Sequence, residues 1–432
     1  MRIAFFEDDK TDQFTPIALL RPVCELLCGH FTARERALRF LPVTEWGLYC
    51  RDHLTETYAA EHPEAHLNDF AWLSAAPTLL LNSRWLCDPR ELTQCDRDAV
   101  GLMDGEVAWI TVDPLETALV IGQDLPTAIG QIARTRRRVK ATGRLVQYPW
   151  DLVAHNGEQI AWDFAARSSQ SERPKKPRDS YPWASVGDPA LVWIDDSAEI
   201  DPYVVFDTRQ GPIFIDGGAV VQAFTRIEGP AFIGRQTQLF RTNLRAGSSI
   251  GPVCRVGGEI EASILHGYVN KYHDGFLGHA YVSPWCNLGA LTTNSDLKND
   301  YSTVRVPLAG EAIESGQMKV GCFLGDHTKT AIGSCFNTGT SIGVMCQVLP
   351  AGELLPKHIP SFTRVWHGEL VDGFPMDRNL ATARAAMNRR GVELTDAQER
   401  LLRHVFHDTA VERRRAFERE ESGTLSVVPT SA

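Results

Sequence analysis

The feature that most constrains this chain is a six-residue period that starts near residue 186. Ile215, Val221, Ile227, Ile233 and Leu239 form one series of apolar residues six apart. Ile250, Val256 and Ala262 form a second, and Phe276, Val282 and Leu288 a third. Leu324, Thr330, Phe336, Ile342, Val348 and Leu354 form a fourth, with Thr330 its one polar member. Neither an α-helix nor a flat alternating strand has this period. Glycine follows the apolar position in "FIGRQ", "SIGPV", "FLGDH" and "SIGVM". Three such hexads close a triangular coil whose aliphatic positions stack inside, which is a parallel β-helix. A β-sandwich with regular turns is the competing architecture.

Upstream the texture differs. "RIAFF" (2–6), "PTLLLN" (77–82) and "VAWITV" (107–112) read as buried strands. "DLPTAIGQIARTRRRVK" (124–140) reads as a helix with Asp124 as its N-cap, and Arg134, Arg136, Arg137 and Arg138 as a solvated face. Strands alternating with helices predict an α/β, Rossmann-like layer over residues 1–165. Residues 166–185, polar and rich in Ser and Pro, form a linker, and 186–365 the β-helix. Residues 295–322 keep no hexad phase and should leave the wall as an arm. From 366 to 432 helical spacing returns, with Thr395 and Gln398 placed as a capping box, and a disordered tail is expected from about 421.

Composition excludes several classes. With 432 residues, 43 % hydrophobic and 23 % charged, the chain has a globular profile with room for more than one domain. A net charge of −10 opposes nucleic-acid binding. No apolar run approaches a membrane span, and the N-terminus has no basic leader. Ten cysteines without short paired spacings predict free thiols and a cytoplasmic setting.

The chemistry concentrates in "NKYHDGFLGHAYVSPWCNLGALTTN" (270–294). Lys271, His273, Phe276-Leu277-Gly278, Asn287-Leu288-Gly289-Ala290 and Thr292-Thr293-Asn294 resemble the acetyltransferase motif of the bifunctional GlmU family. The Thr-x-Asn part stands two residues early, and Lys271 lies one residue nearer the histidine than usual. That resemblance implies UDP-N-acetylglucosamine biosynthesis, left-handed coils and a homotrimer. It makes His273 the general base that deprotonates the amine of an amino-sugar 1-phosphate. Asn287 and Asn294 would orient the sugar, Lys271 would neutralise its phosphate, and backbone at Ala290 and Ala331 would hold acetyl-CoA. The family's sugar-binding tyrosine is Phe276 here. His279 reads as a structural histidine. A γ-carbonic-anhydrase zinc site would need three convergent histidines, which His266, His273 and His279 do not supply by spacing.

Pro16-Ile17-Ala18, Arg21-Pro22 and "YPWDLVAHN" (148–156) resemble sugar nucleotidyltransferases, which implies uridylyl transfer in the N-terminal domain. The glycine-rich turn of those enzymes is replaced by Glu7-Asp8-Asp9-Lys10, and the lysine after Arg-Pro is Val23. Arg21 is the candidate phosphate contact, and Asp8 and Asp9 the candidate Mg²⁺ ligands. The chain therefore reads as a transferase. The alternative is a non-catalytic regulatory or scaffold protein that keeps both folds and binds sugar nucleotides.

Overall fold

A computed structural model describes residues 1–116, 124–169 and 185–421. Most of the expected linker, 170–184, and the expected tail beyond 421 lie outside the described residues.

The N-terminal layer is a seven-stranded mixed sheet. Its strands are β1 (Arg2–Phe6), β2 (Glu45–Tyr49), β3 (His66–Leu67), β4 (Thr78–Asn82), β5 (Ala99–Met103), β6 (Glu106–Val112) and β7 (Arg137–Lys140). Their spatial order is β3-β2-β1-β4-β6-β5-β7. The first four pair in parallel, and β6 runs antiparallel to both β4 and β5. β1 and β4 are apolar on both faces because both are covered. Helices α1 (Ala33–Phe40), α2 (Thr55–Glu61) and α3 (Leu125–Ala133) flank the sheet.

The Asp124 side chain caps α3 by accepting from the Thr127 amide at 2.9 Å, as expected. The helix nevertheless ends at Ala133, and the arginine run becomes edge strand β7, paired in parallel with β5. Alternate charged residues suit an edge strand with one face in water. Arg136, just before the strand, and Arg137, its first residue, pair with Glu116 and Asp96, at 2.6 and 2.5 Å.

Helix α4 (Pro149–Ser169) begins where Asp151 accepts the amides of Gln147 and Tyr148, and continues past residue 165. It carries the chain onto the β-helix. Asn156 is the seam: it accepts from the Gly29 amide at 2.8 Å and donates to the Gly247 carbonyl at 2.7 Å. A buried Arg36–Asp163 pair, 2.8 Å between Nε and Oδ1, locks α1 to α4.

The second architecture is the parallel β-helix of hexapeptide type. Its first face stacks nine strands, with Ile194, Ile215, Ile233, Ile250, Leu265, Val282, Leu324, Ile342 and Ile359 in one inward ladder. The second face stacks Val221, Leu239, Val256, Lys271, Leu288, Thr330, Val348 and Val365. The third stacks Phe206, Ile227, Leu244, Ile260 and Leu277, then Asn294 against Phe336. Each fully buried aliphatic in these ladders contributes about 1.5–3 kcal/mol, so the period itself supplies the driving force.

The ladders depart from the expected series at three residues, each time because a corner is shorter or longer than a hexad allows. Gly257 and Gly258 turn the chain after four residues, so Ile260 and Leu265 enter the core and Ala262 leaves it. Leu277, not Phe276, then points inward. Near the end Leu354 is 62 % exposed and Leu355 only 4 %. Lys271 keeps the phase but not the chemistry, since its backbone sits at an inward position of the second face.

The arm at 295–321 forms an antiparallel hairpin, Arg305–Leu308 against Glu311–Glu314. Val304, Val306 and Leu308 pack with Trp150 of α4 and Phe323 of the first face, so the arm reinforces the domain junction. Helices α5 (Met376–Asn388), α6 (Asp396–Asp408) and α7 (Ala410–Glu421) close the chain. The Thr395–Gln398 capping box is present on α6, and Arg400 and Gln398 of that helix meet Glu56 and Glu61 of α2. All ten cysteines are free thiols.

Candidate functional site

The corner between the second and third faces carries the predicted motif. Strand Asn270–Lys271 ends there, and residues 272–275 turn the corner. The His273 imidazole is exposed, meets the Tyr272 ring edge-on at 4.9 Å, and makes no hydrogen bond among the described residues. The next coil brings Ala290 to the same corner, where the Leu291 amide donates to the Asp274 carbonyl at 2.8 Å. One coil further on stands Ala331, with the Gly333 amide bonded to the Ala290 carbonyl at 2.8 Å. Gly289 is required here, since a Cβ on it would lie 2.6 Å from the Ala331 carbonyl carbon. The coil repeat thus puts His273 in register with Ala290, and Gly289 in register with Ala331 one coil further on. Asn287 faces outward beside it on the second face and accepts from the Asn270 amide group at 2.6 Å.

Lys271 does not project from the wall. It is 2 % exposed, and its ammonium donates to the carbonyls of Gly257 (3.0 Å) and His273 (2.8 Å). Burial lowers its pKa to about 8. Its expected role as a phosphate contact conflicts with that position, because the hexad phase turns it inward between Val256 and Leu288. What it fixes instead is the backbone of His273. Asn294 is also inward: its carboxamide spans the amide and carbonyl of Gly278, both at 2.9 Å. There it stands in for an aliphatic ladder residue. Phe276 lies half-buried on the outer third face, its ring folded over Gly278.

Sequence reasoning missed Lys329, and it read His279 as structural without finding its partner. Lys329 stands in register with Asn287 on the outer second face, donating to the carbonyls of Trp285 (2.6 Å) and His327 (2.9 Å). Burial lowers its pKa also to about 8. Its position outside the 270–294 motif hid it, although the hexad count from Asn287 across the arm would have found it. His279 holds Asp296 at 2.7 Å through Nδ1, pinning the root of the arm.

Asp8, Asp9 and Arg21 lie elsewhere, and the Mg²⁺ expectation fails on geometry. Asp8 accepts from Arg84 through Nε (2.9 Å) and Nη2 (2.6 Å) and from the Asn82 amide group (2.9 Å). The same guanidinium reaches Glu106 at 2.5 Å, and Glu106 also binds Lys10. A fully buried guanidinium against the carboxylate opposes a cation, and Arg84 holds the Asp8 pKa down despite burial that pushes it up. Asp9 is exposed and not part of this network. Among the described residues only His53, His404 and Asp408 bring three potential metal-binding atoms within 4.8 Å, away from Asp8 at the contact of α6 with the N-terminal domain. Arg21 is also taken: its guanidinium forms a two-pronged pair with Asp326, at the corner between the first and second faces.

Fold and site together define a protein with a sugar-nucleotidyltransferase-type α/β layer docked on a hexapeptide-repeat β-helix. The family model for sugar nucleotidyl transferase matches residues 3–172. The bifunctional protein GlmU of Methanocaldococcus jannaschii is 31 % identical over 108 residues, 25 % of this chain and 26 % of that one. The bifunctional protein GlmU of Methylibium petroleiphilum is 25 % identical over 296 residues, 66 % of this chain and 58 % of that one. Among solved structures, Francisella novicida UDP-N-acetylglucosamine acyltransferase is similar at 13 % identity and a TM-score of 0.20, over 47 % of this chain and 73 % of that one. The chain is similar to these GlmU proteins and spans between 26 % and 58 % of the length of the two.

Proposed function

We propose that the protein is a transferase of sugar-nucleotide biosynthesis whose reaction centre is the His273 corner, moving an acetyl group from acetyl-CoA to the amine of an amino-sugar 1-phosphate. The observation that carries this reading is the register of His273 with Ala290 on successive coils, with Ala331 against Gly289 on the coil after and Asn287 beside them. An ammonium cannot attack a thioester, and an exposed imidazole without hydrogen-bonded partners is free to take its proton. The two carbonyls that hold Lys271 fix the His273 backbone. Lys329 replaces Lys271 as the cation for the sugar phosphate, because it stands on the outer face in register with Asn287 and keeps a third N–H beyond the two its carbonyls use.

The same corner carries an exposed apolar run along the coil axis, Tyr203, Phe224, Tyr272, Leu291 and Ile332. Tyr203 and Phe224 stack at 5.6 Å, 70 % and 69 % exposed. Such a stripe fits a second copy of this chain, and a homotrimer would complete the groove beside His273.

For the N-terminal domain a specific observation favours the binding or scaffold reading over uridylyl transfer. The crevice beyond the carboxyl ends of β1 and β4, where an open α/β sheet binds its ligand, is filled by the Asp8–Arg84–Glu106–Lys10 network. A thiol-release assay with acetyl-CoA and glucosamine 1-phosphate, run beside a pyrophosphate-release assay with UTP and N-acetylglucosamine 1-phosphate, tests both readings.

A further inference from the structure

Two histidines and a carboxylate meet where helix α6 lies against the N-terminal domain. His53 sits in the one-turn 3-10 helix Asp52–Leu54, just ahead of α2, and His404 and Asp408 lie one turn apart on α6. One ring nitrogen from each histidine and one Asp408 oxygen lie within 4.8 Å of one another. Nε2 of His404 is 2.9 Å from Oδ2 of Asp408, and the two imidazoles face each other at 4.8 Å and 20°.

The backbones beneath these side chains are fixed, while the side chains can adjust. Leu54, beside His53, shares one apolar cluster with Leu401, Leu402 and Val405 of α6. Arg400, one turn before His404, pairs with Glu56 across the same contact at 2.6 Å. The side chains of His404 and Asp408 are 46 and 56 % exposed, and the His53 ring makes no hydrogen bond among the described residues. A spacing of four puts His404 and Asp408 on one helix face, and His53 brings a third donor from a separate element. The neighbouring cations are already neutralised: Arg51 by Glu7, Arg400 by Glu56, and Arg403 by Glu399 and Asp377.

Donor chemistry selects the ion. Mg²⁺ and Ca²⁺ take sets of about six or more ligands, nearly all oxygen, whereas imidazole suits Zn²⁺ and its transition-metal neighbours. Two imidazoles and a carboxylate form a zinc donor set, with water as the fourth ligand. Tetrahedral bonds to zinc place donor atoms about 3.4 Å apart, within reach of exposed side chains whose donors already lie inside 4.8 Å.

We infer that His53, His404 and Asp408 form a zinc site that clasps the C-terminal helices to the N-terminal domain. The site shares no residue with the His273 corner, so metal binding and thiol release are read separately.

Metal titration of the full chain, stripped by a chelator and kept reduced, tests it. Zn²⁺ should bind saturably in competition with a chromophoric chelator, one ion per chain. Co²⁺ in its place should give a visible d–d spectrum without a thiolate charge-transfer band, which separates this site from the cysteines. His404→Gln and Asp408→Asn alter exposed side chains, so both should fold and each should weaken Zn²⁺ binding by more than about tenfold. His407→Gln, an exposed histidine of α6 outside the grouping, should leave binding intact. Zn²⁺ should also slow amide exchange in α2 and α6 of the wild type and not of His404→Gln. Absence of saturable Zn²⁺ binding up to about 100 µM would overturn the inference. A thiolate band with Co²⁺, binding indifferent to His404→Gln and Asp408→Asn, an equal loss in His407→Gln, or exchange unaffected by Zn²⁺ would overturn it equally.

Discussion

Arg21, from the segment that follows β1, and Asp326, at a β-helix corner, form a two-pronged ion pair across the junction between the two architectures. Nearby, His266 donates from Nε2 to the Glu25 carbonyl at 2.7 Å. The N-terminal layer is therefore fastened to the first corner of the coils, and the second corner, with His273, is left open.

Removing one partner of that pair strands a buried charge. Arg21→Ala should cost about 3–5 kcal/mol of stability, as should Asp326→Ala, and the double variant should cost less than the sum. Urea unfolding of the four proteins measures this. Strict additivity would show that the pair does not couple the domains.

Acid should loosen the same junction. Burial lowers the His266 pKa to about 4, below its unfolded value near 6.5. The unfolded chain therefore binds more protons between those values, and stability falls as pH drops from 6.5 towards 4. His30 and His327 shift in the same direction. Unfolding free energies at pH 7 and pH 5 should differ, and His266→Gln should reduce the difference.

Lys271 has the corresponding alkaline signature. Its folded pKa of about 8 lies below its ordinary value of 10.5, so the unfolded state holds the proton more tightly in that interval. Stability should rise as pH goes from 8 to 10, and Lys271→Met should remove part of that rise; Lys329 accounts for another part. A pH-independent difference between wild type and variant would contradict the inward placement.

Asp8 should behave as a structural residue. Asp8→Ala leaves Arg84 buried without its main partner, so a loss of about 3 kcal/mol or more is expected. Mg²⁺ should leave the melting temperature of the wild type unchanged. A Mg²⁺-dependent rise that vanishes in the variant would restore the metal-ligand reading.

The β-helix was legible because a six-residue apolar repeat has few other structural solutions, and the ladder through Ile215, Ile233 and Ile250 follows it closely. Strands β1, β4 and β6 were legible as short apolar runs. Corners were less legible, since corner length shifts the phase by one residue and turns Leu277 rather than Phe276 inward. The motif named Lys271 and Asn294 but not their orientation, which depends on the coil's phase. The arginine run defeated a helical reading because charge alone does not distinguish an exposed helix face from an edge strand. The Asp8–Arg84 pair, 76 residues apart, has no local signal at all.

The most direct test of the account is thiol release from acetyl-CoA with glucosamine 1-phosphate, compared between wild type and His273→Ala. The wild type should release thiol only when the amino sugar is present. The variant should be slower by about 10²–10⁴-fold, with an unchanged melting temperature because the imidazole is exposed. Equal rates in the two proteins would contradict the assignment of His273 as the base.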